Sequence, residues 1–242
     1  MNYAIIGVGG IGILHAIAVT RTGNMVTAII DRNEVILKKT QKRWRNEWLG
    51  FVDEVTPNPD CQYCQSIDQL TADVDKYILA VPPEQNKPYL EILSPKPILV
   101  EKPISLNVTH DDHDNVEVST EWRFSKNIPK KILSMEMSFL KTTSTKWGYT
   151  LPAKFDFIPH FASIIDNVGI DVREIYLKRQ APDFFEGLIN GNIVIKGDRK
   201  GNGFKINGNT IYWEFDLLDR QIKKGGMRWE TMKKINNLIC QS

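Results

Sequence analysis

Residues 3–15, Y-A-I-I-G-V-G-G-I-G-I-L-H, constrain the fold of this chain more than any other stretch. Residues 3–6 form an apolar run of strand-forming type. Gly7, Gly9 and Gly12 follow in the spacing G-x-G-x-x-G, and Ile13, Leu14, Ala16, Ile17, Ala18 and Val19 continue as a buried helix. Each glycine has a mechanical reason. Gly7 allows the tight turn out of the strand, Gly9 lets a pyrophosphate approach the backbone, and Gly12 lets the helix pack close to the strand. Gly10 and Ile11 complete the turn, and the helix N-terminus behind them faces the anion. A second strand, Met25–Ile30, ends in Asp31, nineteen residues after Gly12, where an acid would meet the adenosine ribose hydroxyls. The flanking strand and helix supply the context that an isolated glycine motif lacks.

The chain has 242 residues, enough for one large domain or two small ones. A net charge of +2 gives no strong field for nucleic acid or an anionic membrane, and the apolar runs are too short to span a bilayer. Strand residues begin at position 3, which leaves no room for a signal peptide. Three cysteines, Cys61, Cys64 and Cys240, are too few and odd in number for a disulfide scaffold, so a cytoplasmic setting is expected.

Residues 34–49 read as a helix whose apolar face is drawn from Val35, Ile36, Leu37, Trp44 and Trp48. Lys38, Lys39, Lys42, Arg43 and Arg45 form its solvated basic side. A 2′-phosphate held by Arg32 and this helix would mean NADP. The carboxylate of Asp31 would repel that phosphate, so NAD is expected, with NADP as the alternative. Cys61-x-x-Cys64 lacks the second pair that a zinc site needs and reads as two thiols in a loop. Residues 76–81, K-Y-I-L-A-V, form a strand stopped by Pro82-Pro83; a helix follows over 84–93, and a strand over 97–100 runs into Glu101-Lys102-Pro103. Strands alternating with helices at this spacing predict an α/β, doubly wound parallel sheet.

The glycine turn ending in His15-Ala16, the strand "ILAVPP", the segment "VEKPISL" and the later "EWRFS" together resemble the Gfo/Idh/MocA family of glucose-fructose oxidoreductase and inositol dehydrogenase-like enzymes. The resemblance covers roughly the first 125 residues well and residues 131–168 more loosely. It implies that Lys102 sits beside the nicotinamide and the reacting carbon, with Val81, Pro82 and Glu101 also lining the cofactor. Arg123, in W-R-F, falls near where relatives approach cofactor or substrate, and an arginine there equally suits a structural pair. In residues 154–168, K-F-D-F-I-P-H-F-A-S-I-I-D-N-V, Asp156 and His160 are four apart and share a helix face. Inositol dehydrogenase-like members carry a matching Asp-x-x-x-His pair whose histidine is the general acid or base. The resemblance thus makes Lys102, His160 and Asp156 catalytic candidates, and Arg123 and Asp156 substrate-binding ones.

Two departures stand out. Relatives usually carry a full helix after Glu-Lys-Pro, whereas residues 104–115 here centre on T-H-D-D-H-D, which reads as a polar loop rather than a metal site. A third family carboxylate, three residues after the histidine, is Ser163 here. Pro159 would break or kink an ordinary helix interior.

Residues 116–124 read as a strand and 131–140 as the first strand of a new sheet. Another strand falls at 172–177, and an amphipathic helix at 227–239 closes the chain. Asn190-Gly191 and Asn207-Gly208, each between apolar runs, signal two-residue hairpins, because type I′ turns need positive φ twice. A Rossmann dinucleotide-binding domain over 1–122 is therefore expected, followed by a small α+β domain over 123–242 with an open, mostly antiparallel sheet. Trp213, Phe215, Ile211 and Ile206 are expected on an uncovered sheet face that pairs two copies into a homodimer. The expected activity is NAD(P)-dependent hydride transfer to or from a sugar, cyclitol or related hydroxyl compound. A reductase of an imine or conjugated double bond, and a dinucleotide-binding sensor or assembly protein without turnover, are the alternatives.

Overall fold

The computed structural model describes residues 1–42, 44–46, 53–104, 113–139, 152–212, 214 and 216–242. These divide into two compact units. The first holds the described residues through Ile104 with His113–Ser119 and Leu218–Gly226; the second holds those of Thr120–Leu217 and Met227–Ser242.

In the first unit the apolar runs become strands buried on both faces. They are β1 (Asn2–Ile6), β2 (Met25–Ile30), β5 (Gln62–Cys64), β6 (Lys76–Leu79), β7 (Ile98–Glu101) and β8 (Val116–Ser119), in spatial order β8-β7-β6-β1-β2-β5. Every pairing among these six is parallel. Helix α1 (Gly10–Arg21) links β1 to β2, α2 (Glu34–Lys42) follows β2, and α3 (Asn86–Leu93) links β6 to β7. The chain leaves β1 toward β2 on one side and runs on from β6 toward β7 on the other. The carboxyl ends of β1 and β6 therefore form a topological switch point, where open α/β sheets bind ligands. Ile5, Ile17, Ile29 and Ile78 pack there with no more than 1% exposure, each stabilising the fold by roughly 1.5–3 kcal/mol.

Three expectations need correction here. The helix over 34–49 ends at Lys42: residues Trp44–Asn46 form a strand, β3, paired antiparallel with β4 (Asp53–Val55). Trp44 is fully buried in the cluster of Tyr3, Ile17 and Val19, and that burial outweighs helix propensity. Trp48 lies outside the described residues. Cys61 lies in a loop as expected, but Cys64 ends β5 opposite Ile30. The strand expected over 116–124 stops at Ser119, and a 3₁₀ turn, Glu121–Phe124, follows. The basic face of α2 is solvated, as expected, with Lys38 bonded to Glu34 at 2.7 Å.

The second unit is built on a six-stranded sheet in the order β10-β11-β12-β9-β13-β14. Its strands are β9 (Ser134–Phe139), β10 (Ile175–Ala181), β11 (Phe184–Ile189), β12 (Ile193–Asp198), β13 (Asn202–Ile206) and β14 (Asn209–Ile211). Only β12 and β9 pair in parallel. Both hairpin signals hold: Asn190 and Gly191 have φ of 52° and 69°, Asn207 and Gly208 of 50° and 81°. Helix α4 (Ala153–Asn167) covers one face, stacking Phe161 on Phe204 at 6.0 Å and setting Phe157 against Phe185. Gly197 lets them meet, because a Cβ there would strike both Phe185 and Phe157. Pro159 sits inside α4, which continues through it. Helix α5 (Leu217–Lys224) was not foreseen; a two-residue strand, β15 (Met227–Arg228), precedes α6 (Trp229–Gln241), whose buried stripe is Trp229, Met232, Ile235 and Ile239.

Ile206 and Ile211 are buried at 0% and 4% exposure, so they belong to the covered face and not to an open one. Trp213 and Phe215 lie outside the described residues. The opposite face carries a cross-strand row of alternating charge, Arg179, Glu186, Lys196, Glu136 and Lys205. A parallel row holds Tyr176, Leu188 and Val194, with Tyr176 61% and Val194 45% exposed.

No helix among the described residues is long and apolar enough to cross a membrane. Burial pushes the Cys61 thiol up to about 12, and burial likewise raises the Tyr63 phenol beside it. A raised value keeps the folded thiol neutral. Its stabilising contribution is complete below the ordinary thiol value of 9.0 and is lost as pH rises toward 12. Iodoacetamide at mildly alkaline pH should therefore modify the exposed Cys240 while Cys61 and Cys64 react only on unfolding, as peptide mass mapping would show.

Candidate functional site

The switch point of the first unit is shaped by backbone. Gly7 has φ +84°, and a Cβ there would lie 2.6 Å from the Ala80 carbonyl oxygen. A Cβ on Gly12 would overlap the Gly7 carbonyl oxygen. Gly9 differs: its φ of −63° suits any residue, so its backbone does not require glycine there. Gly9 is the N-cap of α1, no side chain caps that end, and no acid lies in the first turn. The N–H groups of Gly10, Ile11 and Gly12 therefore start a helix of 12 residues that no acid of its own first turn compensates.

Asp31, half-buried beyond β2, accepts Val8 N–H on Oδ2 at 2.9 Å and Asn33 N–H on Oδ1 at 2.8 Å. The first bond ties the acid to the glycine turn. Each oxygen keeps a lone pair for a further donor such as a ribose hydroxyl. Arg32 is exposed beside it. Val81 and Pro82 are half-buried beyond β6, where Ala80 N–H donates to Ile6 O at 2.7 Å and brings this end against that of β1.

Glu101 ends β7 and is only 6% exposed; His15 Nε2 and Ser119 Oγ both meet its Oε1 at 2.5 Å. Lys102, half-buried, comes next, and its peptide bond to Pro103 is cis.

The second unit holds the other candidates on α4. Asp156 and His160 are 1% and 3% exposed. Arg199, beyond β12, places Nη2 3.6 Å from Asp156 Oδ2, a cation that partly offsets the burial of this carboxylate. Ser163 donates its hydroxyl to the His160 carbonyl at 2.8 Å, so it is spent on its own helix. Arg123 reaches Asp166 at 3.6 Å and lies 5.6 Å from the Phe124 ring centroid, a structural pairing. Among the described residues no group of three His, Cys, Asp or Glu could hold a metal, and His110, Asp111 and Asp112 lie outside them.

Sequence reasoning missed Arg199, Ser119 and Gln221, and took His15 only as part of a motif. A histidine three residues past Gly12, on a helix otherwise apolar on that side, was the one local signal. The other three depend on contacts across 18 to 102 residues.

Residues 1–116 match the model of the Gfo/Idh/MocA family, an oxidoreductase family with an NAD-binding Rossmann fold. The match covers just under half of the chain and carries the family's NAD-binding Rossmann fold and its oxidoreductase character. No curated protein matches its sequence. Among solved structures it is similar to the WlbA (WbpB) dehydrogenase of Thermus thermophilus in complex with NAD and UDP-GlcNAcA, at 12% identity and TM-score 0.67, covering 99% of this chain and 93% of that one. A levoglucosan dehydrogenase in complex with NADH and levoglucosan aligns at 13% identity and TM-score 0.68, over 100% and 96%. The scyllo-inositol dehydrogenase of Lactobacillus casei, with NAD(H) and scyllo-inositol bound, aligns at 12% and 0.63, over 99% and 95%. At such identities these likenesses speak for the fold of the chain.

Proposed function

We propose that this protein moves a hydride between NAD and a hydroxyl-bearing carbon of a sugar, cyclitol or related compound. The observation that carries this reading is the buried Asp156/His160 pair on α4. Two polar side chains inside a helix otherwise packed with phenylalanine and isoleucine are costly as mere core. They match the Asp-x-x-x-His pair of inositol dehydrogenase-like relatives. Similar folds have been solved with NAD-type cofactors and levoglucosan or scyllo-inositol.

Bound NAD would supply the hydride acceptor. The uncapped α1 end would hold its pyrophosphate, with Gly7, Gly9, Gly10, Ile11 and Gly12 as the cradle. Asp31 would accept the ribose hydroxyls, and Val81 and Pro82 would line the path beyond β6. In the oxidative direction His160 would take the hydroxyl proton, and Lys102 would donate a hydrogen bond that stabilises developing negative charge. Asp156, steadied by Arg199, would hold a substrate hydroxyl or orient the imidazole. Arg123 is left to its structural pair. A binding screen with NAD and NADP, then a sugar and cyclitol panel followed by nicotinamide absorbance, tests the reading; NAD binding without turnover of any member would contradict it.

Cofactor choice follows from Asp31. Calorimetry should show tighter binding of NAD than of NADP, since a 2′-phosphate would face this carboxylate. Equal or tighter NADP binding would assign the phosphate to Arg32.

The low, odd cysteine count supports a reducing, cytoplasmic setting. The open sheet face supports a homodimer. Tyr176, Leu188 and Val194 offer apolar contact, and the charge row beside them alternates in sign, so a second copy displaced by one position can oppose four of the five charges with opposite ones. Light scattering at micromolar concentration should give a dimer, and Val194→Glu should shift it toward monomer.

A further inference from the structure

Glu101 is held from inside the first unit by a chain of buried hydrogen bonds. His15 Nε2 and Ser119 Oγ both meet Oε1, and Gln221 Nε2 donates to Ser119 Oγ at 2.9 Å. His15, Ser119 and Gln221 are each 0% exposed. Gln221 lies on α5, 102 residues beyond Ser119, yet this segment is fastened to the first unit. Arg21 grips Asp219 Oδ1 through Nε at 3.2 Å and Nη2 at 2.7 Å, and Gly226 N–H donates to Glu117 at 3.2 Å.

We propose that this chain of bonds positions Lys102, with His15, Ser119 and Gln221 acting through Glu101 as positioning residues for the reaction. The inference rests on the catalytic reading of Lys102 given above. A buried carboxylate is a poor stabiliser: apolar residues of similar volume often do as well or better. Its place explains it. Glu101 is the last residue of β7 and the chain bends at Lys102, so a carboxylate pinned inward at Glu101 fixes the backbone from which Lys102 leaves the strand. His15 rides on α1, whose first turn carries the glycine cradle, so one carboxylate sets that cradle and the lysine in a common register. Glu101 thereby serves from behind the lysine and not as a cofactor contact. Gln221 closes the chain of bonds from the far end of the sequence.

The test reads Lys102 directly and needs no substrate. Reductive ¹³C-methylation gives each lysine its own resonance, and Lys102→Arg identifies that of Lys102. Gln221→Met keeps length and volume but removes the donor. It should move the Lys102 resonance, as should Glu101→Gln, while Asp219→Ala lowers the melting temperature and leaves that resonance in place. Ser119→Ala, a smaller change, serves the same purpose if Gln221→Met fails to fold. With a substrate from the panel, Gln221→Met should lower kcat about 10–100-fold, the scale of a small misplacement, with NAD affinity unchanged. In a Lys102→Ala background the further loss should vanish. An unmoved Lys102 resonance in both Gln221→Met and Glu101→Gln would overturn the proposal. Wild-type turnover in Lys102→Ala would instead overturn the catalytic reading, which the resonance does not depend on.

Discussion

Replacing His160 with alanine should lower turnover by roughly 10²–10⁴-fold, the range for a positioned acid–base group. NAD affinity should barely change, because the residue belongs to the second unit and the glycine cradle to the first. In the oxidative direction the imidazole must be neutral to accept a proton, so wild-type turnover should rise as pH is raised. His160→Ala should lose that rise. Lys102→Ala should also lower turnover and weaken substrate binding. A histidine that served only as core would behave otherwise. At 3% exposure its removal would lower the melting temperature while specific activity stayed intact. Melting temperature measured beside kcat separates the two cases.

The second large effect belongs to the glycine turn, where two glycines should fail in different ways. Gly9→Val should spare the fold, because its φ of −63° is open to any residue, yet abolish close approach of the pyrophosphate. Each charge-assisted hydrogen bond lost there costs about 1.5–3 kcal/mol, which is roughly 10–150-fold in Kd. Gly12→Ala should act on the fold itself: its Cβ would overlap the Gly7 carbonyl oxygen, so helix and strand must separate and the melting temperature must fall. Calorimetric NAD titration with thermal unfolding of both variants distinguishes a lost ligand contact from lost packing. Equal Kd for Gly9→Val and wild type would remove the pyrophosphate from this turn.

Local chemistry explains what was legible in the sequence. The parallel sheet announced itself through runs such as Ile78–Leu79 and Leu99–Val100, buried on both faces, and the hairpins through asparagine–glycine pairs that the structure holds at positive φ. Asp156 and His160 lie buried on one helix, as their four-residue spacing predicts. What failed depended on distant partners. Trp44 leaves the helix pattern because the core beneath α1 receives its ring. Alternation in β13 and β14 distinguishes two faces but not which one α4 covers, so Ile206 and Ile211 were assigned to the wrong side. The partners of Glu101, His15 and Ser119, lie 86 and 18 residues away, beyond any local pattern.

Isotope transfer tests the central claim most directly. A cyclitol or sugar found by the panel and carrying deuterium at its reacting carbon is incubated with NAD and the protein, and the nicotinamide product is examined by mass spectrometry. Deuterium in the reduced nicotinamide with wild type, and its loss with Lys102→Ala and with His160→Ala at unchanged NAD affinity, is the predicted result. Reduced nicotinamide without deuterium, or transfer as fast in both variants as in wild type, would contradict it.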